Sequence, residues 1–159
     1  GVGTKFTIII PFEIAGKEEV FDMDEEEIQK GSIRGYNLLL AEDNKLNAEI
    51  AQILLADVGA DVVTVHDGKE AKEQFENNPP GTFDAILMDV MMPVVDGITA
   101  TKMIRAMERD DAHSIPIIAV TANAFDEDAK KCIDAGMNAH IAKPIDVNKM
   151  VNVISELVG

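Results

Sequence analysis

The sequence predicts an α/β fold: an open, doubly wound sheet of five parallel strands with helices on both faces. Five short, nearly continuous apolar runs recur between residue 36 and the C-terminus. Longer segments with helical spacing separate these runs, as the crossovers between parallel strands require. The runs are apolar throughout instead of alternating with polar residues, which is typical of strands that helices cover on both faces.

The individual elements follow from this pattern. The predicted strands are residues 38–41, 62–65, 85–88, 115–120 and 139–142. Helical spacing predicts an apolar face on the first helix at Leu46, Ile50, Ile53 and Leu54. A middle helix has its predicted face at Ile98, Met103, Ile104 and Met107. The last helix has its own at Val147, Met150, Val151, Ile154 and Leu157.

Two segments precede this domain. Residues 1–11 (GVGTKFTIIIP) form a β-branched, strand-like run that ends at a proline. Residues 12–35 are rich in charge, especially at residues 18–19 and 24–27, and lack a sustained apolar period. Such a segment buries too little apolar surface to offset its loss of conformational entropy, so we expect an acidic linker. The folded domain is therefore expected to cover residues 36–159.

The composition limits the classes of function. Hydrophobic residues make up 47% of the 159 residues and aromatic residues 4%, so the core must be mainly aliphatic. The net charge of −15 argues against binding to nucleic acid or to an anionic membrane. A single cysteine, Cys132, excludes an internal disulfide and a cysteine-based metal cluster. No apolar run approaches the ~20 residues that span a bilayer, and no signal peptide opens the chain. We expect a soluble, cytoplasmic domain, although its parent protein can still be anchored to a membrane.

Polar side chains stand at the ends of four predicted strands. Glu42 and Asp43 follow the first strand, Asp89 the third, Thr121 the fourth and Lys143 the fifth. Each residue alone is weak evidence, because a polar residue after a strand often caps a helix. In a doubly wound sheet, however, ligands bind beyond the carboxyl ends of the strands. The four positions together predict that these side chains converge on one crevice.

Three carboxylates, a hydroxyl and an ammonium suit phosphoryl transfer. Crowded carboxylates repel one another, and a hard divalent cation relieves the repulsion. Mg²⁺ prefers oxygen ligands and usually binds one or two carboxylates together with phosphate oxygens. It neutralises charge on an incoming phosphoryl group, while one carboxylate remains able to act as a nucleophile. The Lys143 ammonium and the Thr121 hydroxyl suit contacts with phosphoryl oxygens.

Four strings, LLLAEDN (38–44), ILMDVMMPVVDG (86–97), IIAVTANA (117–124) and AKPI (142–145), resemble those of a known family, the receiver domain of two-component response regulators. The resemblance implies a flavodoxin-like sheet with the strand order 2-1-3-4-5. It also implies that Asp89 is phosphorylated and that Glu42, Asp43 and Asp89 bind Mg²⁺ together with the backbone carbonyl of Met91. The resemblance extends over essentially the whole of the expected domain at residues 36–159.

The same resemblance assigns the readout of phosphorylation. Thr121 would be the switch hydroxyl, Lys143 the lysine that contacts the phosphoryl group, and the peptide bond before Pro144 would be cis. The family often has an aromatic switch residue three positions before this lysine, where this chain has His140. His140 is either a modified switch or a partly exposed histidine at a strand end. His66 and His113 are interpreted as ordinary surface or loop residues.

Two further resemblances concern the parent protein. The strings GTKF (3–6) and IIIP (8–11) resemble the last strand of a histidine-kinase ATP-binding domain, so residues 1–11 are interpreted as its remnant. The string EDN (42–44) followed by Asn47 resembles receivers of hybrid sensor histidine kinases. The implied partners are a histidine kinase domain as phosphodonor and a histidine phosphotransfer protein as acceptor. Because a strand without its sheet is an edge that seeks a partner, a dimer through residues 1–11 is a hypothesis.

Three other functions share parts of this pattern. A free-standing single-domain response regulator has the same site, and the first 35 residues favour the hybrid kinase over it; no DNA-binding domain follows Gly159. A Mg²⁺-dependent phosphatase with an aspartyl nucleophile needs a second aspartate where this chain has Met91. A flavodoxin-like electron carrier needs aromatic residues and a phosphate-binding loop, and Glu42 and Asp43 would repel the phosphate. Whether the chain itself counts as an enzyme stays open, because a receiver only phosphorylates and dephosphorylates itself.

Overall fold

The computed structural model describes residues 32–122 and 126–159, without the side chain of Asp126. Strands and helices alternate along the described chain, and the five strands form one parallel sheet in the order β2-β1-β3-β4-β5. The predicted fold class and strand order are confirmed. The elements are β1 (Asn37–Ala41), α1 (Lys45–Asp57), β2 (Asp61–Val65), α2 (Gly68–Asn77), β3 (Ala85–Asp89), α3 (Gly97–Arg105), β4 (Ile117–Thr121), α4 (Asp126–Asp134), β5 (Ala139–Ala142) and α5 (Val147–Val158).

The hydrophobic core has two halves, one on each face of the sheet. Alternate residues of the central strands point to opposite faces, as the two-residue period of a strand requires. One half packs under α2, α3 and α4 and includes Leu39, Ile86, Met88, Ile117, Phe75 and Ile104. The other half packs under α1 and α5 and includes Leu38, Leu40, Leu87, Ile118, Leu55 and Ile154.

Burial differs between central and edge strands. Every residue of β3 and β4 is buried, and so are four of the five residues of β1. The prediction of fully covered strands is therefore confirmed for the centre of the sheet. It is wrong for β2, where only Val65 is buried, and for β5, where only Ile141 is buried. Both lie at edges of the sheet, where helices cover less of their surface.

The predicted apolar face of α1 is wrong. The buried residues of α1 are Ala48, Ala51 and Leu55. Leu46 is 65% exposed and Ile53 is 60% exposed, on the outer side of the helix. Helical spacing fits both faces of α1. The face with Ala48, Ala51 and Leu55 packs into the core, and the large aliphatic side chains of Leu46 and Ile53 lie outside.

The predicted apolar face agrees only in part with the structure of α3 and agrees fully with that of α5. In α3 the buried positions include Ala100, Thr101 and Ile104, whereas Met103 is 37% exposed. The helix ends at Arg105, so the predicted face at Met107 falls beyond it. In α5 the prediction is confirmed, because Val147, Met150, Val151, Ile154 and Leu157 are all buried or partly buried; Val153 and Val158 are partly buried as well. Cys132 is buried in α4.

Helix caps fix the loops at the carboxyl edge of the sheet. Asn44 caps α1 by accepting hydrogen bonds from the amides of Leu46 and Asn47. Asp67, Asp96 and Asp146 cap α2, α3 and α5 in the same way. Each cap satisfies an amide at a helix start that has no partner within the helix. The loops that follow β1, β2, β3 and β5 are thereby held in place beside the strand ends.

The segments before the sheet are only partly described. The predicted strand at 1–11 and most of the predicted linker at 12–35 lie outside the described residues. Within the described part, Ile33 is fully buried in the core beside the partly buried Tyr36. Packed structure therefore begins at least three residues before the predicted boundary at residue 36. None of the described helices combines the length and apolar character that a bilayer span requires.

Candidate functional site

Three carboxylates meet at the carboxyl edge of the sheet. Glu42 directly follows β1 and is 2% exposed, and Asp89 ends β3 and is 3% exposed. Asp43, the next residue after Glu42, is exposed. One carboxylate oxygen from each lies within 4.8 Å of the others. Neighbouring parallel strands β1 and β3 bring these residues together, although they are far apart in the sequence.

Lys143 joins two of these carboxylates. Its Nζ lies 2.7 Å from Asp89 Oδ2 and 2.7 Å from Glu42 Oε2. The backbone amide of Lys143 donates to the carbonyl oxygen of Thr121 at 2.7 Å, which ties the loop after β5 to the end of β4. The peptide bond between Lys143 and Pro144 is cis, as expected.

Backbone groups also orient the Asp89 side chain. The amide of Met91 donates to Asp89 Oδ1 at 3.0 Å. The start of α3 lies against the same residue, because a Cβ added at Gly97 would overlap the carbonyl oxygen of Asp89. The amide of Gly97 donates to the carbonyl oxygen of Val90 at 3.0 Å, which closes the loop between β3 and α3. Met91, Asp43 and Pro93 line one open cleft at this loop.

Glu42 is held from the side of α1. Its Oε1 accepts from the amide of Asn44 at 3.3 Å and from the side chain of Asn47 at 3.5 Å. Both oxygens of Glu42 therefore have donors, since Oε2 pairs with Lys143. Glu42 is positioned more tightly than the exposed Asp43, which is the most accessible carboxylate of the three.

Burial and hydrogen bonds act in opposite directions on the charges of the site. Burial raises the pKa of the Asp89 carboxyl above its ordinary value, and the hydrogen bonds from Lys143 and Met91 offset this only in part. Burial alone would lower the pKa of Lys143. Hydrogen bonds to Asp89 and Glu42 outweigh that effect, so the pKa of Lys143 is raised. The ammonium is therefore retained, while an added positive charge beside Asp89 would favour its ionised form.

The remaining predicted site residues have different surroundings. Thr121 ends β4 and is 7% exposed, on the same edge of the sheet as Asp89. His140 lies within β5 and is exposed. Its exposure fits a histidine at the surface of an edge strand, and its role as a switch residue stays a prediction. His113 is exposed in the loop before β4, as predicted.

Sequence reasoning missed the position of His66. This histidine directly follows β2, and its Nδ1 lies 3.1 Å from the carbonyl oxygen of Glu42. It is half-buried, and its backbone amide donates to Glu70 Oε2 at 2.8 Å. His66 thus lies in a loop, as the interpretation of a surface or loop residue allowed, but its contact with the backbone of Glu42 was not predicted. The rule that identified the other residues, a polar side chain directly after a predicted strand, would have identified His66 if it had been applied to β2.

The arrangement is suited to binding a hard cation and an anion together. Its carboxylate oxygens are the ligands that Mg²⁺ prefers, and the three carboxylates carry more negative charge than Lys143 neutralises. Asp89 combines a nucleophilic oxygen with a rigid setting, since both of its oxygens accept hydrogen bonds. Carboxylates, a lysine and a buried hydroxyl at one sheet edge are the groups that phosphoryl transfer requires.

Comparison with known proteins identifies the same region. A family model described as the response regulator receiver domain matches residues 38–155. The chain is 36% identical over 131 residues to hybrid signal transduction histidine kinase I of Dictyostelium discoideum, covering 81% of this chain and 8% of the relative. It is 36% identical over 129 residues to the sensor protein GacS of Pseudomonas syringae pv. syringae, covering 80% of this chain and 14% of the relative. The chain thus spans only a small part of these curated relatives.

Solved structures share the fold. One is the receiver domain of a Pseudomonas aeruginosa PAO1 sensor histidine kinase, with a magnesium ion coordinated in its active site cleft. It has a TM-score of 0.71 and 39% identity, over 79% of this chain and 98% of that chain. Another is a co-crystal structure of the Saccharomyces cerevisiae histidine phosphotransfer protein Ypd1 with the receiver domain of the response regulator Ssk1. It has a TM-score of 0.71 and 28% identity, over 79% of this chain and 90% of that chain.

Proposed function

The chain belongs to the response regulator receiver domain family, and from this premise we propose that Asp89 accepts a phosphoryl group from a phosphohistidine in a Mg²⁺-dependent reaction. The observation that carries the proposal is the acidic cluster at the carboxyl edge of the sheet. Asp89 lies there within 4.8 Å of Glu42 and Asp43, and Lys143 reaches two of the three carboxylates.

The residues that would hold Mg²⁺ are Asp43, Asp89 and Glu42, with the backbone carbonyl of Met91 as a further oxygen ligand. The fit rests on the donor set, which consists of hard oxygen atoms, and on its excess of negative charge. Bound Mg²⁺ would supply positive charge that neutralises the incoming phosphoryl group. Glu42 and Asp89 are both buried and have donors on both oxygens, so the exposed Asp43 is the most available of these ligands.

The transfer step follows from the positions of the side chains. A carboxylate oxygen of Asp89 forms the new P–O bond as the P–N bond to the donor imidazole breaks, and the leaving imidazole takes up a proton from solvent. Lys143, which binds Asp89 Oδ2 beforehand, moves its contact to a phosphoryl oxygen. The Thr121 hydroxyl at the end of β4 donates to another phosphoryl oxygen. Rigid positioning of Asp89 by the Met91 amide favours the reaction because little reorganisation is then needed.

The phosphoryl group would change the surface of the domain through Thr121. This residue precedes the loop to α4, and His140 lies in the neighbouring strand β5. Movement of Thr121 towards the phosphoryl group would be transmitted to the face formed by α4, β5 and α5. His140, exposed in β5, is the candidate switch residue on that face.

A helical protein is the partner that the surface next to the site favours. Leu46, Ile50 and Ile53 of α1 are between 47% and 65% exposed. They lie one turn apart along a helix that begins at the acidic cluster. An apolar helix face of this kind packs well against another helix. We therefore propose that a histidine kinase domain donates the phosphoryl group to this chain and that a histidine phosphotransfer protein accepts it. The chain would act in a cytoplasmic phosphorelay as part of a hybrid histidine kinase. A dimer through residues 1–11 remains a hypothesis.

Labelling with a small phosphodonor tests the proposal. The chain is incubated with acetyl phosphate and Mg²⁺, and the intact mass and the modified residue are determined. We expect one added phosphoryl group on Asp89, loss of labelling in Asp89→Asn, and loss of labelling when Mg²⁺ is chelated. Asp84→Asn is the matched control, because Asp84 flanks the other end of the same strand. Full labelling of Asp89→Asn, or labelling without Mg²⁺, would overturn the proposal. Sustained release of phosphate from a phosphate ester would instead indicate the phosphatase.

A further inference from the structure

His66 holds the backbone of Glu42 from the side of β2. Ala41 and Val65 are partners in the parallel pairing of β1 with β2, so Glu42 and His66 are the next residues along the two strands. The amide of Glu42 donates to the carbonyl oxygen of Val65 at 3.0 Å, and the carbonyl oxygen of Glu42 lies 3.1 Å from His66 Nδ1. Because a carbonyl oxygen only accepts hydrogen bonds, Nδ1 carries the hydrogen and donates it. Both backbone polar groups of Glu42 are therefore tied to the end of β2.

The start of α2 holds His66 in turn. The backbone amide of His66 donates to Glu70 Oε2 at 2.8 Å. The amide of Glu70 donates to Oδ1 of Asp67, the N-cap of α2, at 2.8 Å. These two bonds connect the first turn of the helix to the residues before it, in the manner of a capping box. The imidazole is therefore attached to a backbone that α2 keeps in place.

The hydrogen bond from His66 acts on the peptide unit between Glu42 and Asp43. A peptide unit is planar, so a bond that holds the carbonyl oxygen of Glu42 also sets the position of the Asp43 amide and Cα. Asp43 is exposed, so packing against other side chains does little to place its carboxylate. Mg²⁺ requires near-octahedral geometry with ligand distances of about 2.0–2.1 Å, and small displacements of a ligand therefore weaken its binding.

We propose that His66 is a positioning residue for the metal site, and that its Nδ1–H donor fixes the Asp43 carboxylate where it binds Mg²⁺. This inference rests on the proposed function, in which the exposed Asp43 is the most available of the metal ligands. The imidazole acts through the backbone of Glu42 and does not itself contact the cation. Without the donor, the peptide unit between Glu42 and Asp43 can rotate. Loss of a hydrogen-bond partner of a metal site commonly lowers metal affinity about 10- to 100-fold.

A matched pair of variants isolates the donor. His66→Asn keeps an N–H donor on the atom bonded to Cγ, as Nδ1 of histidine is, and His66→Leu has the same branched shape without a donor. His66→Ala is a second variant without a donor. The control is His113→Leu, which removes an exposed histidine from the loop before β4.

Three measurements are made on each variant. Titration calorimetry with MgCl₂ gives the dissociation constant of Mg²⁺ without any phosphodonor. Labelling by acetyl phosphate over a series of Mg²⁺ concentrations gives the half-maximal Mg²⁺ concentration and the rate at saturating Mg²⁺. Thermal unfolding gives the midpoint, so that a loss of stability is separated from a loss of metal binding.

The inference predicts an effect on Mg²⁺ affinity alone. His66→Leu and His66→Ala should raise the dissociation constant of Mg²⁺ about tenfold, and the half-maximal Mg²⁺ concentration for labelling should rise by the same factor. The labelling rate at saturating Mg²⁺ should change less than twofold, because Asp89 and Lys143 are unaltered. His66→Asn should bind Mg²⁺ within about threefold of the parent, and His113→Leu should bind it like the parent.

An unchanged Mg²⁺ dissociation constant in His66→Leu and His66→Ala overturns the inference even if their unfolding midpoints fall, because His66 then only stabilises the loop. Binding by His66→Asn that is as weak as that of His66→Leu also overturns it, since the loss then comes from the ring and not from its donor. Both results leave the proposed function intact. Absence of Mg²⁺ binding and of labelling in the unmodified chain overturns the proposed function itself.

Discussion

Charged side chains lie at both edges of the sheet, but their hydrogen-bond and ion-pair partners differ between the two edges. At the amino edge, Arg105 donates to the carbonyl oxygens of Ala112, Ile115 and Gly136 and to Asn138 Oδ1, at 2.7 to 3.0 Å. At the carboxyl edge, Lys143 forms ion pairs with two of the three carboxylates of the acidic cluster, Glu42 and Asp89. At the amino edge, the Arg105 guanidinium donates hydrogen bonds to neutral oxygen atoms. At the carboxyl edge, the negative charge of the three carboxylates exceeds the positive charge of Lys143.

A second arginine at the amino edge, Arg109, also has several hydrogen-bond acceptors for its guanidinium. Arg109 lies over the ring of Phe75 with 4.0 Å to its centroid, and it donates to the carbonyl oxygen of Asn78 and to both oxygens of Asp111. These bonds join the end of α2 to the segment after α3. The difference between the edges supports a structural role for the amino edge and agrees with the chemical role that we propose for the carboxyl edge. Charge that is fully satisfied holds loops together, whereas unbalanced charge is available to a ligand.

The largest expected effect comes from removing the ammonium of the carboxyl edge. Lys143→Met should slow phosphorylation of Asp89 by acetyl phosphate between about 10²- and 10³-fold, as removal of one donor to a developing charge does elsewhere. Labelling rates measured by intact mass check this. The control is Lys149→Met, an exposed lysine in the first turn of α5. Equal rates for both variants would contradict a chemical role for the carboxyl edge.

Removing the Arg105 guanidinium from the amino edge should lower the stability of the domain and leave the rate of Asp89 phosphorylation unchanged. Arg105→Met removes the hydrogen bonds to three carbonyl oxygens and one of the two hydrogen bonds to Asn138 Oδ1, so the free energy of unfolding should fall by about 2–3 kcal/mol. Urea denaturation measures the change, and Lys102→Met, an exposed position on the same helix, is its control. The labelling rate of the folded variant should stay within twofold of the parent. A large loss of labelling in Arg105→Met with normal stability would contradict a purely structural role for Arg105.

Added Mg²⁺ should stabilise the domain through the carboxyl edge. At a concentration about 100 times its dissociation constant, a ligand of the folded state stabilises by about 2.7 kcal/mol. Thermal unfolding with and without MgCl₂ measures this shift, with NaCl at equal ionic strength as reference. Asp43→Asn should abolish most of it, because Asp43 is the accessible carboxylate of the cluster. Asp57→Asn, at the far end of α1, should respond to Mg²⁺ like the parent. A full shift in Asp43→Asn would rule out this metal site.

The smallest expected effect is a pH dependence at the amino edge. The hydrogen bond from Arg109 holds the pKa of Asp111 below its ordinary value of 3.8. Because the folded pKa is depressed, Asp111 stabilises the domain fully above the unfolded pKa and loses this contribution as the pH falls from about 4 through the folded pKa. Asp111→Asn should therefore reduce the free energy of unfolding by about 1–2 kcal/mol at pH 7.

The difference between parent and Asp111→Asn should shrink as the pH is lowered from 5 to 3 in urea denaturation. Asp110→Asn serves as the control, because Asp110 is its exposed neighbour. A difference that stays constant across this range would show that the negative charge of Asp111 is not what stabilises the α2–α3 region.

The predictions from sequence succeeded where one rule of topology was sufficient. Polar residues directly after parallel strands meet at one edge, so Glu42, Asp43, Asp89 and Lys143 could be grouped before any coordinates were known. The same rule would have included His66. The apolar face of α1 could not be predicted in this way, because helical spacing does not say which of two faces approaches the sheet. Burial of β2 was overestimated because its apolar run was read without the strand order 2-1-3-4-5, which places β2 at an edge of the sheet.

By itself, the sequence determined the fold class, the chemical types at the carboxyl edge and the resemblance to receiver domains. These depend on local patterns: the period of apolar residues, the polar residues that end each run, and short strings around Asp89. The tertiary structure alone decided that Lys143 pairs with both Glu42 and Asp89, that α1 turns its large side chains outward, and that Val94 has a positive φ of 66°. Such features depend on distances between segments far apart in the chain, and those distances are set by packing of the whole domain.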